Sequence, residues 1–328
     1  MAARVPSAWY RHHMTDAAIT IRNLRKTYGD LHAVDGLDLT IEQGEIFAIL
    51  GPNGAGKSTT VEILEGFRKR TAGDAKVLGI DPAHPTREWR ERLGIMLQST
   101  STNSPLTVRE SVTHQSHLFP HPRDIEETIA AVGLEEKANA RSTTLSGGQR
   151  RRLDVALAVV GRPDLVFLDE PTTGFDPEAR RQFWHLIESL KDGGTTIVLT
   201  THYLDEAEHL ANRLAVISRG KLVALDTPAG LRARAADAVV AWSESDADGV
   251  VTARNEVTTT PTATVRELLA SHSGEVKDLE IRRPSLEDVY LDLIGRDSED
   301  APDTAESGHG GVPVPSQEDA SGTTEETS

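Results

Sequence analysis

The stretch Gly51-Pro-Asn-Gly-Ala-Gly-Lys-Ser-Thr59 decides the fold that this sequence predicts. It fits the pattern G-x-x-x-x-G-K-[ST] and follows the apolar run Ile46-Phe-Ala-Ile-Leu50, which is typical of a strand leading into a phosphate-binding loop. Its glycines permit a tight turn and leave backbone N–H groups free to surround a polyphosphate at the start of the next helix. The stretch therefore predicts a nucleotide site; a Gly-rich surface turn with a chance Lys-Ser pair is the alternative.

Two side chains of this loop have predicted chemical roles. Lys57 would reach the outer phosphates, and the Ser58 hydroxyl would bind the Mg²⁺ that bridges them, because Mg²⁺ prefers oxygen ligands. The nucleotide-binding candidates in the loop are Gly51, Pro52, Asn53, Gly54, Ala55, Gly56, Lys57, Ser58 and Thr59.

Composition limits the class of protein. A length of 328 residues suggests about two domains, and the absence of cysteine excludes disulfides and thiolate metal sites. No apolar run approaches the roughly 18 residues needed to cross a bilayer, and the N-terminus lacks the apolar segment of a secretory signal. Any function at a membrane would therefore need another chain to supply the span.

The negative charge is concentrated at the C-terminus. Residues 295–328 contain nine acidic residues and one basic residue, which is half of the net charge of −16. This segment lacks aromatic residues, so we expect a disordered acidic tail with a solubilising role, and we expect residues 1–16 to form a flexible arm with Met14 as an alternative start. The overall acidity argues against a nucleic-acid partner, because such binding depends on neutralising phosphates.

A second apolar run, Leu165-Val-Phe-Leu168, ends in Asp169 and Glu170. The pattern predicts a buried parallel strand whose carboxylates lie at the C-terminal edge of a sheet, where ligands bind in α/β folds. Asp169 would hold Mg²⁺ through its water shell, and Glu170 would accept a proton from the attacking water or orient it. His202 follows the strand predicted at Thr195–Thr200, shares this edge, and could bond the terminal phosphate.

The region 106–160 predicts a helical insertion in this α/β domain, with helix-like segments separated by prolines and a glycine. Within it, Leu145-Ser-Gly-Gly-Gln149 opens a helix, with Ser146 as the expected N-cap and free N–H groups available to an anion. Three histidines (His114, His117 and His121) have spacings that a metal face could use. Proline interrupts their helix and no carboxylate completes a site, so surface or partner contact is the better interpretation.

Taken in order, these motifs resemble those of the ATP-binding cassette (ABC) ATPase family over about residues 18–230. The resemblance implies a P-loop NTPase core with an antiparallel β subdomain and a helical insertion, within an ATPase domain at 17–230. It also implies that Tyr28 stacks on adenine, that Gln98 binds Mg²⁺ and links it to the helical subdomain, and that Asp176 belongs to the loop crossing a dimer interface. The signature residues Ser146, Gly147, Gly148 and Gln149 would then contact the ATP held by Lys57 of a second subunit, which we expect to be an identical copy.

Residues 231–294 predict a small α+β accessory domain that ends in an amphipathic helix at Ser285–Ile294. This ending resembles the ATP-binding subunits of daunorubicin-type drug exporters. The resemblance implies an ATPase that uses ATP and Mg²⁺ and energises a separate transmembrane permease from the cytoplasmic face of the membrane. Alternatives are an importer ATPase, a soluble ABC ATPase without a transport role, and an inactive regulatory subunit. Phe175 departs from the leucine common in the family, which leaves the chemistry intact and could alter packing at the dimer loop.

Overall fold

The computed structural model describes residues 17–96, 105–234, 238–245, 251–272 and 275–299. These described residues form twelve strands and ten α-helices. The strands are β1 (Ala17–Tyr28), β2 (Leu31–Glu42), β3 (Ile46–Leu50), β4 (Ala72–Val77), β5 (Leu93–Met96), β6 (Leu165–Asp169), β7 (Thr196–Thr201), β8 (Arg213–Ser218), β9 (Lys221–Asp226), β10 (Ala238–Ser245), β11 (Val251–Thr258) and β12 (Lys277–Arg282). The helices are α1 (Lys57–Leu64), α2 (Arg87–Glu91), α3 (Val108–Ser116), α4 (Ile125–Ala131), α5 (Gly147–Val159), α6 (Pro177–Asp192), α7 (Leu204–Leu210), α8 (Pro228–Arg234), α9 (Pro261–Ser271) and α10 (Leu286–Glu299).

A six-stranded sheet in the order β5-β6-β7-β3-β8-β9 positions the candidate site. Its neighbouring strands are parallel except for β9, which runs antiparallel to β8. All five residues of β3 are buried, as are Leu165 to Leu168 of β6, because helices or strands cover both faces. The parallel arrangement brings the C-terminal ends of β3, β6 and β7 to one edge of the sheet.

An antiparallel sheet in the order β2-β1-β4 packs beside this core. Apolar residues of β1 and β2, among them Ile21 and Leu39, share a hydrophobic cluster with α1 and with Trp89 of α2. The Trp89 indole N–H donates to the Val77 carbonyl oxygen at 2.8 Å, which satisfies the polar atom of a fully buried ring. The predicted antiparallel β subdomain is confirmed.

Helices α3, α4 and α5 form the predicted helical insertion. They contribute Val112, Ile129 and Leu153 to the hydrophobic cluster that covers the other face of the central sheet. Helix α3 begins with a capping box: Thr107 accepts from the Glu110 backbone N–H, and Glu110 accepts from the Thr107 backbone N–H. Such reciprocal bonds fix where a helix starts.

The C-terminal part has its own three-stranded antiparallel sheet, ordered β11-β10-β12. Helix α9 packs on it through a small cluster that includes Val240 and Leu268. Helix α10 packs elsewhere: Leu286 and Val289 are buried in the large core together with Leu231 of α8. The small α+β C-terminal part is confirmed, and its last helix lies against the ATPase core.

Two elements differ from the sequence-based expectation. Strand β11 was not predicted: seven of its eight residues are exposed, and its alternating apolar residues Val251, Ala253 and Val257 are interrupted by Asn255. Helix α10 continues to Glu299, beyond the predicted end at Ile294, since Gly295 disfavours a helix by only about 1 kcal/mol. Residues 1–16, Gln98 and residues 300–328 lie outside the described residues, so the arm, the Gln98 role and the tail stay predictions.

Within the described ranges, no helix has the length and apolar character that crossing a membrane requires.

Candidate active site

The phosphate loop connects β3 to α1 through a backbone that requires glycine. Gly56 is the N-cap of α1 with a φ of 100°, and Gly54 has a φ of 79°, both in the left-handed region. A Cβ atom on Gly56 would overlap the carbonyl oxygen of Ala33. No side chain caps α1, so the N–H groups of its first turn are available to an anion.

Replacing Gly56 by alanine is expected to destabilise the fold by about 2 kcal/mol or more, because it combines a left-handed φ with a backbone clash. Urea unfolding measures this loss. The matched control is Gly147→Ala: Gly147 begins α5, and an added Cβ there meets no atom within 4 Å. A Gly56→Ala chain as stable as the wild type would contradict the loop geometry.

A cavity of 680 Å³ lies over the phosphate loop. It is lined by Tyr28, Leu31, Ala33, Gly51, Pro52, Asn53, Gly54, Gly56, Lys57, Ser58, Thr59, Glu170, His202 and Tyr290. The structure therefore brings together most of the predicted nucleotide-binding residues with two predicted catalytic ones. Ala55 is buried beneath the loop, where its carbonyl oxygen accepts from the Gly220 N–H at 2.9 Å.

Lys57 is held at the base of this cavity. Its ammonium group donates to the carbonyl oxygens of Gly51 at 2.8 Å and Pro52 at 3.1 Å. Burial lowers the pKa of Lys57, and the nearby carboxylates of Glu170 and Asp169 oppose that effect. The cation is thus fixed by its own loop and electrostatically coupled to the two acids at the end of β6.

The two acids at the end of β6 occupy different environments. The Thr200 hydroxyl donates to Asp169 Oδ1, and burial is the main effect that raises the pKa of Asp169. Glu170 has a φ of 45°, a strained conformation for a residue with a side chain, and strain of this kind is concentrated at functional sites. Its backbone N–H donates to the Thr200 carbonyl oxygen at 3.1 Å, which fixes the turn.

His202 lies beside Glu170. Its Nδ1 is 3.5 Å from Glu170 Oε1, and its ring packs on the Tyr203 ring with centroids 4.1 Å apart. His202 follows β7 and Glu170 follows β6, and these strands are neighbours in the sheet. Parallel pairing thus brings the predicted base and the predicted histidine together at one edge.

Tyr28 is the last residue of β1. The ring is 39% exposed and lies at the cavity wall. Two cations lie over it: Lys26 Nζ is 4.8 Å and Arg68 Cζ is 5.5 Å from the ring centroid. The exposed ring remains able to stack on a nucleotide base.

The signature residues are in a different place. Ser146, Gly147, Gly148 and Gln149 line a separate cavity of 480 Å³ together with Gly174, Phe175 and Asp176. Ser146 is the N-cap of α5 as predicted: it accepts from the Gln149 N–H at 3.2 Å, and Gln149 Oε1 accepts from the Ser146 N–H at 3.0 Å. Among the residues that the structure describes, this cavity and the one over the phosphate loop have no lining residue in common.

Phe175 and Asp176 shape this second cavity. Asp176 caps α6 by accepting from the Ala179 N–H at 2.8 Å, and Pro177 occupies the first turn of that helix. Phe175 is 9% exposed and makes an edge-to-face contact with Phe183, with centroids 5.6 Å apart. A Cβ on Gly148 would lie 3.9 Å from the Phe175 ring, so the phenylalanine packs directly beside the signature glycines.

Sequence reasoning missed Leu31, Ala33 and Tyr290 as lining residues. Tyr290 is half-buried on α10, and burial raises the pKa of its hydroxyl. The apolar spacing of Leu286, Val289 and Leu293 indicates a packing face for α10. No local signal, however, indicates that this face brings Tyr290 to the cavity.

The described residues fit a nucleotide polyphosphate and Mg²⁺. Uncapped N–H groups and a buried ammonium suit phosphates, and the Ser58 hydroxyl and Asp169 carboxylate are the oxygen ligands that Mg²⁺ prefers. His114, His117 and His121 are all exposed, and the described residues contain no group of three or more His, Cys, Asp or Glu that could hold a metal ion by themselves. The candidate Mg²⁺ site therefore depends on phosphate oxygens as well as protein ligands.

Comparison with known proteins agrees with this geometry. A family model described as "ABC transporter" matches residues 34–173. The daunorubicin/doxorubicin resistance ATP-binding protein DrrA of Streptomyces peucetius is 37% identical over 311 residues, covering 86% of this chain and 94% of that protein. The Nod factor export ATP-binding protein I of Paraburkholderia xenovorans (strain LB400) is 36% identical over 304 residues, covering 88% and 100% respectively.

Among solved structures, one described as the dimeric structure of a post-hydrolysis state of the ATP-binding cassette MJ0796 bound to ADP and Pi is similar, with a TM-score of 0.57 and 25% identity. The match covers 64% of this chain and 98% of that one. The two sequence relatives are matched over nearly their whole length, so the similarity extends past the cassette into the C-terminal part.

Proposed function

The chain belongs to the ABC transporter family of ATP-binding proteins, and we propose that it couples ATP hydrolysis to the export of a drug or other hydrophobic compound. As a member of this family it is an ATPase. Two relatives named for drug resistance and for Nod factor export support the export direction. A separate transmembrane permease would carry the compound, and this chain would act at the cytoplasmic face of the membrane.

In this proposal, the 680 Å³ cavity binds Mg-ATP. Tyr28 stacks on adenine, the open N–H groups of the phosphate loop surround the phosphates, and Lys57 binds the outer ones. Ser58, Asp169 and Gln98 supply oxygen ligands for the metal. Bound Mg²⁺ would neutralise charge that develops on the phosphates.

The single observation that carries the catalytic assignment is that Lys57, Glu170 and His202 line one cavity. Glu170 accepts the proton of the attacking water or orients it, and its carboxylate is close enough to Lys57 to raise the pKa of that ammonium. His202 bonds the terminal phosphate from the neighbouring strand. Glu170 and His202 then act from the ends of neighbouring strands, and Lys57 acts from the start of α1.

We further propose that each ATP is bound between two copies of this chain. The signature residues line a different cavity from the phosphate loop, which supports their action on the ATP of a second subunit. Head-to-tail pairing would bring Ser146 and Gly148 of one subunit to the Lys57 site of the other, with Asp176 in the loop between them. The dimeric relative bound to ADP and Pi is consistent with this arrangement.

Gly148→Asp tests the shared site. A carboxylate at this position would repel the phosphates of the partner's ATP, so turnover is expected to fall by about 10²-fold or more. Binding of ATP by the single chain should stay close to wild type, because its own phosphate loop is untouched and an added Cβ meets no atom within 3.9 Å. Steady-state hydrolysis and calorimetric binding measure the two effects. Loss of ATP binding by the isolated variant would contradict action in trans.

Transport itself is tested in cells. The full-length chain, purified from membranes with a tag, is expected to bring a permease with it, which mass spectrometry identifies. Cells that express both proteins should then accumulate less of a fluorescent hydrophobic drug than cells carrying the Lys57→Ala variant. Greater accumulation with the wild-type chain would favour the importer alternative, and no ATP-dependent change would contradict a role in transport of that drug class.

A further inference from the structure

A buried carboxyl group that the proposed mechanism does not use lies on α7, the helix that follows His202. Glu206 belongs to α7 and is 0% exposed. Neither of its carboxylate oxygens accepts a hydrogen bond from the described residues. A buried carboxylate without partners is costly, so its presence calls for an explanation.

Three unpartnered donors surround this group. The Thr172 hydroxyl, the Trp184 indole N–H and the Arg180 Nε–H are all buried and make no hydrogen bond of their own within the described residues. Burial is the main effect that raises the pKa of Glu206; the Thr201 and Thr172 hydroxyls, the Trp184 indole and the Arg180 charge lie near enough to lower it. Donors and acceptor thus face one another without reaching hydrogen-bonding geometry.

The donors come from the two elements that follow Glu170. Thr172 lies in the segment 171–176, which leaves Glu170 and leads into α6, and the Phe175 N–H donates to the Thr172 carbonyl oxygen at 3.0 Å. Arg180 and Trp184 lie on α6 itself. A change in the position of Glu206 would therefore displace the loop that ends at Asp176.

Glu206 is also connected to His202. Helix α7 begins directly after the His202 turn, where the Tyr203 N–H donates to Thr201 Oγ1 at 3.0 Å. Arg180 ties the same helix to α6, because its Nη1 donates to Asp205 Oδ2 at 2.9 Å and its guanidinium lies 4.5 Å from the Tyr203 ring centroid. The two segments that carry the catalytic candidates thus meet at Glu206.

We propose that Glu206 is a positioning residue that holds the Thr172 segment against the His202 turn, by accepting hydrogen bonds from Thr172 and Trp184 in the working arrangement of the site. Glu206 does not touch the substrate in this role. It acts through Glu170 and His202, whose spacing depends on the two segments it joins. The inference rests on the proposed ATPase site and adds a residue to it.

The test is Glu206→Gln in the full-length chain. The amide has nearly the same shape but presents a donor to a cluster of donors, so kcat is expected to fall by about 10- to 100-fold through misalignment. The KM for ATP should stay within about twofold, since the nucleotide-binding residues are untouched. The melting temperature should be unchanged or higher, because replacing a buried charge by a neutral group of equal volume is often neutral or stabilising.

Thr172→Val removes one donor with little change of volume and provides a second, independent variant. It should also lower kcat, and the double variant should be no slower than Glu206→Gln alone, because the two residues act through each other. The matched control is Glu208→Gln on the same helix. Glu208 pairs with Arg232 away from the site, so this variant should keep wild-type kcat.

Three results would overturn the inference: wild-type kcat in Glu206→Gln, a lowered melting temperature with normal kcat per folded molecule, or losses that add in the double variant. If the wild type, Glu208→Gln and Glu206→Gln all hydrolyse ATP at the same rate, the role of Glu206 is wrong and the proposed ATPase function stands. A wild-type chain without ATPase activity would overturn the proposed function and this inference with it.

Discussion

Replacing Glu170 by glutamine is expected to leave ATP binding intact and to slow hydrolysis by about 10²- to 10⁴-fold, the usual effect of removing a general base. Glutamine has the size of glutamate and cannot take the proton of the attacking water. The backbone N–H of residue 170 would still donate to Thr200, so the strained turn is retained. Lys57 would still be present to bind phosphates.

Turnover should be measured with the co-purified permease, and binding by calorimetry on the isolated chain. Glu136→Gln is a suitable control, because Glu136 is an exposed acid in the helical insertion and lines neither cavity. Near-normal turnover in Glu170→Gln would mean that another group activates the water. Loss of binding together with turnover would mean that the substitution had disturbed the loop.

Replacing Lys57 by alanine is expected to weaken Mg-ATP binding by about 10- to 100-fold, because a charged hydrogen bond to phosphate is lost. The loss of binding free energy is larger in this cavity, since the carboxylates of Asp169 and Glu170 would then repel the nucleotide without the Lys57 cation to compensate. The Gly51 and Pro52 carbonyl oxygens would also lose the Lys57 ammonium, although Pro52 would keep the Ala55 N–H as a donor.

Calorimetric titration with Mg-ATP measures the effect on Kd. Lys137→Ala serves as the control, because Lys137 is exposed in the helical insertion and touches neither cavity. An unchanged Kd for Lys57→Ala would contradict the assignment of Gly51–Thr59 as the phosphate-binding loop.

Much of this fold follows from short stretches of sequence. Continuous apolar runs identify β3 and β6 because both strands are buried on both faces. Ser146 and the Asp176-Pro177 pair identify the starts of α5 and α6 through capping chemistry, which is local and needs no knowledge of the tertiary structure. The phosphate loop combines both kinds of signal.

Other features depend on contacts that no local pattern contains. Strand β11 exists because it pairs with β10, although seven of its eight residues are exposed to solvent. Asp205, Glu206 and Glu208 lie in the same short stretch of sequence, so local sequence does not distinguish them. Only the packing of α7 against α6 buries Glu206 and leaves Asp205 exposed. Tyr290 reaches the cavity because α10 packs against α8 and β9, which are distant from α10 in the sequence.

The position of Tyr290 has a consequence for the order in which the protein is made. A ribosome completes the phosphate loop early, and Glu170 and His202 follow, but one wall of the nucleotide cavity is missing until synthesis has passed α10. A nascent chain therefore cannot enclose ATP as the finished protein does. Translation through α10 therefore precedes the completion of the site.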